Sequence, residues 1–130
     1  MNMIDPNRVF ITGYSAGGDG IYHLAGMMTD IIAGAAMMAG HPNKADLYNL
    51  RNIAFSIQVG GQDHAYDRAN WGKVYMNKMK ELQNEYGGFR QYSEIHNCGH
   101  WMQKKDALIF PSFLNEVRNP YPEFILFRQH

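Results

Sequence analysis

The most constraining feature of this chain is a short turn sequence, Gly-Tyr-Ser-Ala-Gly, at residues 13–17. Three consecutive apolar residues precede it at positions 9–11, as expected for a parallel strand buried on both faces. After Ser15, apolar residues recur at helical spacing from Ile21 to Met28. A Gly-x-Ser-x-Gly pattern is common by itself. Between a strand and a helix, however, it predicts that the serine is a nucleophile, with small residues on both sides that let a sharp turn close.

Composition limits the classes of protein to consider. At 130 residues, with 45% hydrophobic and 18% charged residues, the chain is long enough for one domain with a core. The net charge is zero, so nothing favours a nucleic-acid partner. There is no apolar run of about 18 residues and no N-terminal basic-then-apolar segment, so we expect neither a membrane partner nor a secretory signal. Cys98 is the only cysteine, which favours a reducing, cytoplasmic location, and secretion of a longer precursor stays open.

The rest of the chain alternates strand-like and helix-like segments. Strands are predicted from Arg8 to Thr12 and at residues 34–39, 53–59 and 89–95, and helices after the serine turn and at residues 69–85 and 107–117. Pro111 lies inside the last helical pattern and predicts a kink or a late start there. We therefore predict a single α/β domain over residues 1–130, with three layers and a mostly parallel sheet of about four strands flanked by helices.

Candidate partners for Ser15 follow the later strands, because functional groups in open α/β sheets gather beyond the carboxyl ends of the strands. A serine hydroxyl needs a base, usually histidine, and a third group that orients the base. Asp63 and Asp67 follow the third predicted strand, and His96 and His100 follow the fourth. Asp63 is favoured because it lies closer to its strand, and His100 because a glycine precedes it and a helix follows. Asp67, which could cap the next helix, and His96 stay open.

Other residues are candidates for the surroundings of the serine. The backbone amide of Ala16, at the start of the predicted helix, is one candidate donor to an oxyanion. Tyr14, His41 and Trp101 are possible pocket residues.

A metal site is a weaker interpretation of the loop after the fourth strand. His96, Cys98 and His100 alternate there, but this spacing matches no usual zinc pattern. The glycines at residues 17–20 are not followed by the Gly-Lys-Ser/Thr of a phosphate loop. We therefore predict no metal and no other cofactor.

Seven short motifs occur together in this chain: Asp5-Pro-Asn-Arg-Val, Gly13-Tyr-Ser-Ala-Gly-Gly, Ala39-Gly-His-Pro-Asn, Gly60-Gly-Gln-Asp, Asp63-x-Ala-Tyr-x-Arg, Gly99-His-Trp-Met and Arg118-Asn-Pro-x-Pro. Over nearly its whole length the chain resembles the C-terminal half of an α/β-hydrolase, within the esterases and prolyl-oligopeptidase-like serine hydrolases. The resemblance implies that Ser15 is the nucleophile, Asp63 the acid and His100 the base. It also implies cleavage of ester or peptide-like acyl bonds of a small-molecule substrate through an acyl-enzyme.

The same resemblance implies that about half of the sheet of such enzymes is absent from this chain. The absent half normally supplies the second oxyanion donor. Without it, the strand from Arg8 to Thr12 would have an exposed edge, which we expect a second copy of the chain or a missing N-terminal half to cover. An alternative is a truncated, weak or inactive hydrolase that acts as an assembly domain.

Overall fold

The computed structural model describes residues 3–129. Within them the strands are β1 Phe10–Tyr14, β2 Gly34–Met38, β3 Ala54–Gly60, β4 Arg90–Gln91 and β5 Glu94–His96. The helices are α1 Ala16–Met27, α2 Arg68–Tyr86 and α3 Phe110–Phe113. Short 3₁₀ turns occupy Tyr48–Leu50, Ala65–Asp67 and Lys105–Ile109.

All strand pairs in the sheet are parallel. β1 pairs with β2 and β2 with β3, and the far side of β3 pairs with both β4 and β5. The register aligns Gly13 with Met37 and Met37 with Ile57. The carboxyl ends of the three long strands therefore meet at one edge, where the turns that follow them come together.

Alternating side chains along the strands build a separate core on each face of the sheet. Ala35 and Met37 of β2 pack in one cluster with residues of α1 and α2. Ala36 and Met38 belong to a second cluster that includes Phe113 of α3. The helices thus flank a parallel sheet on both faces, which confirms the predicted three-layer α/β architecture.

The predicted fourth strand is split into β4 and β5. At the break, polar side chains replace part of the regular ladder: the Ser56 hydroxyl and the Gln58 amide donate to the carbonyl of Tyr92 at 2.8 and 2.7 Å. The Ser93 hydroxyl accepts the amide of Ile57 at 3.0 Å. The backbone groups of Ile57 and Tyr92 at the break therefore keep hydrogen-bond partners, and β4 and β5 both pair with β3.

The predicted helix at residues 107–117 is wrong in extent. A 3₁₀ turn ends at Ile109, and α3 is a single turn with Pro111 at its start. Proline is tolerated at that position because a backbone N–H in the first turn of a helix has no hydrogen-bond acceptor within the helix. The late start is therefore as expected, but the helix ends at Phe113. The segment that follows has little regular structure, although Leu126 is buried. Among the described residues, no helix has both the length and the apolarity to cross a bilayer.

β1 begins and ends two residues later than the predicted strand from Arg8 to Thr12. Within residues 3–129 it pairs with β2 alone, so it lies at the edge of the sheet. The expectation of a first strand buried on both faces is therefore wrong: the residues of β1 are only partly buried, with Thr12 exposed, whereas all residues of β2 and β3 are buried.

Candidate active site

The turn between β1 and α1 holds Ser15 in a strained backbone conformation. Its φ of 57° and ψ of −118° lie where residues other than glycine are rarely found. The Ser15 amide donates to the carbonyl of Met38 at 2.8 Å, which ties the turn to the end of β2. A Cβ added at Gly13 would overlap the carbonyl of Gly17. The turn can close because residue 13 has no side chain.

The glycines that follow Ser15 contribute differently from what the sequence predicted. A Cβ at Gly17 would meet nothing within 4 Å, so a small residue is not sterically required there. A Cβ at Gly18 would lie 2.6 Å from the carbonyl oxygen of Met38 and 3.0 Å from Cα of Gly40. Gly18 therefore lets α1 pack closely against the end of β2.

Three side chains that follow three different strands form one hydrogen-bonded series. His100 Nε2 lies 3.0 Å from Ser15 Oγ, and His100 Nδ1 lies 2.6 Å from Asp63 Oδ2. The side chain of Asp63 is 1% exposed, whereas that of His100 is 41% exposed. A buried carboxylate thus lies behind an imidazole that reaches solvent beside the serine hydroxyl.

The loop that carries His100 packs directly on the end of β3. A Cβ at Gly60 would overlap the carbonyl of Gly99. The amide of Gln62 also donates to the carbonyl of Cys98 at 2.9 Å. The loop can approach β3 this closely because residue 60 has no side chain.

Tyr14, a candidate pocket residue, contacts the loop of His100 with its hydroxyl group. The hydroxyl donates to the backbone carbonyl of His100 and accepts the amide of Met102 at 3.3 Å. The ring of Tyr14 meets the imidazole edge-on, with centroids 5.7 Å apart. Burial raises the pKa of the Tyr14 phenol further above neutral pH, where a tyrosine hydroxyl is already protonated and able to donate. The residue before Ser15 thereby connects the serine turn to the histidine loop.

Arg68 was not singled out by sequence reasoning. It is 8% exposed, and its Nη1 lies 3.6 Å from Asp63 Oδ1, the carboxylate oxygen that does not contact His100. The ring of Tyr66 stacks over the guanidinium at 4.8 Å. The only sign of this contact in the sequence was the place of Arg68 in the Asp-x-Ala-Tyr-x-Arg motif.

Asp67 was considered both as the acid and as a cap for α2, and the structure supports neither contact. It stands at the N-cap position with a φ of 56°, but its side chain makes no capping hydrogen bond to the backbone. Asp67 Oδ1 instead accepts from the side-chain amide of Asn70 at 2.8 Å.

Comparisons with known proteins agree with this architecture. No protein-family model matches the chain. Poly(3-hydroxyalkanoate) depolymerase C from Paucimonas lemoignei is 29% identical over 122 residues, which are 93% of this chain and 26% of the depolymerase. The crystal structure of a carboxylesterase from Mesorhizobium loti has a TM-score of 0.63 at 21% identity, over 82% of this chain and 48% of that one. A thermostable esterase has a TM-score of 0.63 at 20% identity, over 88% of this chain and 32% of that one.

The described residues form part of an α/β-hydrolase fold. At these identities, the two solved structures establish the fold alone. The chain spans about a quarter of the length of the depolymerase, and about half and a third of the two esterase chains.

Within the α/β-hydrolase fold, His96 and His100 have different partners. His96 is buried, and its Nε2 lies 2.6 Å from Gln58 Oε1 at the end of β3. His100 is the histidine that contacts Ser15. Across residues 3–129, no three His, Cys, Asp or Glu side chains are grouped so that they could hold a metal ion.

A pocket of about 360 Å³ adjoins Ser15, with walls formed by Ser15, Ala16, Asp19, His41, Asn43, Tyr66 and Arg68. The candidate pocket residue His41 is therefore part of this wall, and its amide donates to Asp19 Oδ1 at 2.7 Å. Tyr14 and Trp101 are not part of it. Trp101 is 65% exposed and its ring lies at a tilt of 57° to that of Tyr14, with the centroids 6.1 Å apart.

Ala16, whose backbone amide is the candidate oxyanion donor, is the first residue of α1 and lines the same pocket. Among the described residues it donates to no acceptor, as is usual for the first turn of a helix. The N-terminus of α1 also carries the positive end of the helix dipole. The unpaired amide and the helix dipole would both stabilise an oxygen that gains negative charge beside Ser15.

Proposed function

We propose that this chain carries the catalytic residues of a serine hydrolase that cleaves ester bonds through an acyl-enzyme. The observation that supports this best is the series from Ser15 Oγ through His100 to Asp63, with distances of 3.0 and 2.6 Å. The similar proteins are named as esterases and as a poly(3-hydroxyalkanoate) depolymerase, which favours esters over peptide-like bonds.

In the acylation step, His100 Nε2 accepts the hydroxyl proton of Ser15 while Oγ forms a bond to the ester carbonyl carbon. Asp63 Oδ2 orients the imidazole through Nδ1 and stabilises the imidazolium that forms. The imidazolium then donates its proton to the alcohol oxygen. The bond between that oxygen and the carbonyl carbon breaks, the alcohol leaves, and the acyl group stays on Ser15.

Deacylation repeats the same transfers with water as the nucleophile. His100 accepts a proton from water, the hydroxyl oxygen bonds to the acyl carbon, and the proton returns to Ser15 Oγ as the acid leaves. In both steps the carbonyl oxygen becomes negatively charged, and the amide of Ala16 is the proposed donor. One such donor contributes on the order of 10²–10³ in rate.

A fluorophosphonate probe tests the nucleophile directly. We expect covalent labelling of the unchanged protein and of Ser112→Ala, which removes an exposed serine of α3, but none of Ser15→Ala. His100→Gln should slow labelling strongly, because Ser15 then has no base to accept its proton. Full labelling of Ser15→Ala, or no adduct on the folded unchanged protein, would sink the proposal.

The bond type is tested with two acetyl substrates that differ only in the leaving group. We expect hydrolysis of p-nitrophenyl acetate and none detectable of p-nitroacetanilide. Comparable turnover of the anilide would instead support a peptidase.

The edge of the sheet supports a second candidate function, an assembly domain that pairs through β1. Within residues 3–129 the outer side of β1 has no partner strand, and its side chains are only partly buried. Size-exclusion chromatography with light scattering tests this candidate. A stable monomer at micromolar concentration would count against pairing between copies.

A further inference from the structure

A second depression adjoins the pocket at Ser15 and continues along α2. Its volume is about 830 Å³, more than twice the 360 Å³ of the pocket. His41 and Asn43 line both spaces and therefore form their common boundary. We call the larger space the α2 groove. It is within the size range of sites that take a whole drug-sized ligand, so it exceeds the needs of one small ester group.

Aromatic side chains run along the α2 groove. Starting at the boundary, the ring of His41 lies 5.8 Å from that of Trp71, which lies 6.3 Å from that of Tyr75. At the far end, Tyr48 and Tyr86 meet edge-on at 5.5 Å. Trp71 and Tyr86 are 15 positions apart in one helix, so the groove runs for roughly 22 Å. Rings of this kind offer apolar contact along an extended chain.

The charges around the α2 groove balance. Its lining includes three cationic and three anionic side chains: Lys44, Lys78, Arg128, Asp46, Glu81 and Glu85. Arg128 and Asp46 neutralise each other, with Nη1 and Oδ2 2.8 Å apart. Burial, followed by the negative charge of Asp46, raises the pKa of Tyr75, so this phenol is neutral at ordinary pH. A groove with no net charge and an aromatic lining is complementary to an uncharged ligand.

We propose that the α2 groove binds the uncharged chain that extends from the scissile ester, so that long esters are preferred over short ones. This inference rests on the proposed function, because it takes Ser15 as the point where the ester reacts. The chain leaves the pocket across His41 and Asn43 and lies first against Trp71. The extended part can belong to either the acyl or the alcohol side of the ester, and the experiment separates the two.

Binding is measured on Ser15→Ala, which cannot form the acyl-enzyme, by ligand-observed saturation-transfer NMR. The probes are methyl octanoate for the acyl side, octyl acetate for the alcohol side, and methyl acetate as the short ester. We expect at least one of the two long esters to bind with at least tenfold higher affinity than methyl acetate. The side on which the gain occurs identifies the part of the substrate that enters the groove.

Trp71→Ala, added to Ser15→Ala, should remove most of this gain and leave binding of methyl acetate unchanged. Trp101→Ala is the matched control, because Trp101 is an exposed tryptophan outside the groove. Trp71 is itself 38% exposed, so its loss should leave the fold intact, which circular dichroism checks. Trp71→Phe keeps a ring and should keep most of the gain.

Equal affinity for long and short esters would overturn the inference, as would an equal loss in the two tryptophan variants. Fluorophosphonate labelling of the unchanged protein separates this result from the proposed function. Labelling of Ser15 without a chain-length effect rejects the groove and leaves the hydrolase. A chain-length effect without labelling rejects the hydrolase and leaves a binding groove for uncharged chains.

Discussion

The two sides of the candidate active site are held in place in different ways. Ser15 is positioned by its own segment, through its strained φ and the missing side chain of Gly13 just before it. His100 is positioned by groups that are distant in sequence, the hydroxyl of Tyr14 on one side and the carboxylate of Asp63 on the other. The serine is therefore set by the backbone geometry of its own turn, which one bond to the carbonyl of Met38 ties to β2, and the histidine by side chains that are distant in sequence. Changes on the two sides should have separable effects.

The largest effect is expected where the histidine side depends on a buried charge. Asp63→Asn should lower kcat for p-nitrophenyl acetate by about 10³–10⁴-fold, because the amide cannot stabilise the imidazolium and favours the wrong tautomer. Asp67→Asn is the control, since the Asp67 side chain hydrogen-bonds to Asn70 and, within residues 3–129, to no group of the serine–histidine series, and it should stay within about twofold. Equal losses in the two variants would mean that Asp63 has no special role.

On the serine side, the comparison between two glycines of one turn is decisive. Gly13→Ala should lower kcat by about 10²-fold, because relief of the overlap with Gly17 displaces Ser15. It should also lower the free energy of unfolding by about 1–3 kcal/mol. Gly17→Ala adds the same methyl group into open space and should change neither quantity much. Rates of hydrolysis and thermal unfolding measure the difference, and similar behaviour of both variants contradicts the geometry of the turn.

A corresponding pair of glycines exists on the histidine side. Gly60→Ala should move the histidine loop, because the new methyl group meets the carbonyl of Gly99, and we expect a loss of tens of fold in kcat. Gly99→Ala has open space for its Cβ and is the control. The imidazole NMR signals of His100 should change more in Gly60→Ala, which moves the histidine loop, than in Gly13→Ala, which displaces the serine hydroxyl beside the imidazole. If both variants shift them equally, the two sides are not independent.

The smallest effect is expected from the one hydroxyl that joins the two sides. Tyr14→Phe removes the bonds to the backbone of His100 and Met102 but keeps the ring, so kcat should fall by roughly three- to tenfold, with KM unchanged. Tyr92→Phe removes a comparable hydroxyl bond, to Glu116 at 2.6 Å, away from the site. It should leave kcat unaltered, and a rise in KM for Tyr14→Phe would point to substrate contact instead.

Much of the fold could be predicted from local patterns. The apolar runs that became β2 and β3 are buried on both faces, and short runs of this kind between turn residues are typical of parallel strands. The break in the segment after residue 88 was harder to predict, because Phe89, Tyr92 and Ile95 all have good strand propensity. The break there depends on Ser56 and Gln58, which come from another strand. The strand propensity of a segment does not predict hydrogen bonds to side chains that are distant in sequence, and here such bonds interrupt the strand.

The candidate site was predictable to the extent that it follows strand ends. Ser15, Asp63 and His100 each come just after a strand, and parallel strands bring their carboxyl ends to one edge of the sheet. No comparable position in the sequence indicated the contacts of Arg68 and of the Tyr14 hydroxyl. Each acts on a backbone or side-chain atom whose position is known only once the loops are folded.

The sequence by itself determined the serine turn, because a glycine at residue 13, a serine at 15 and the start of a helix are local properties of consecutive residues. The sequence favoured His100 over His96 as the partner of that serine, but only the tertiary structure shows where the two imidazoles lie. His96 ends β5 and His100 lies four positions later in the loop that follows, yet one contacts Gln58 in the core and the other Ser15. The choice depends on how closely the loop approaches Gly60 and Tyr14, and the energy of such close packing depends on distances between segments that are far apart in the chain.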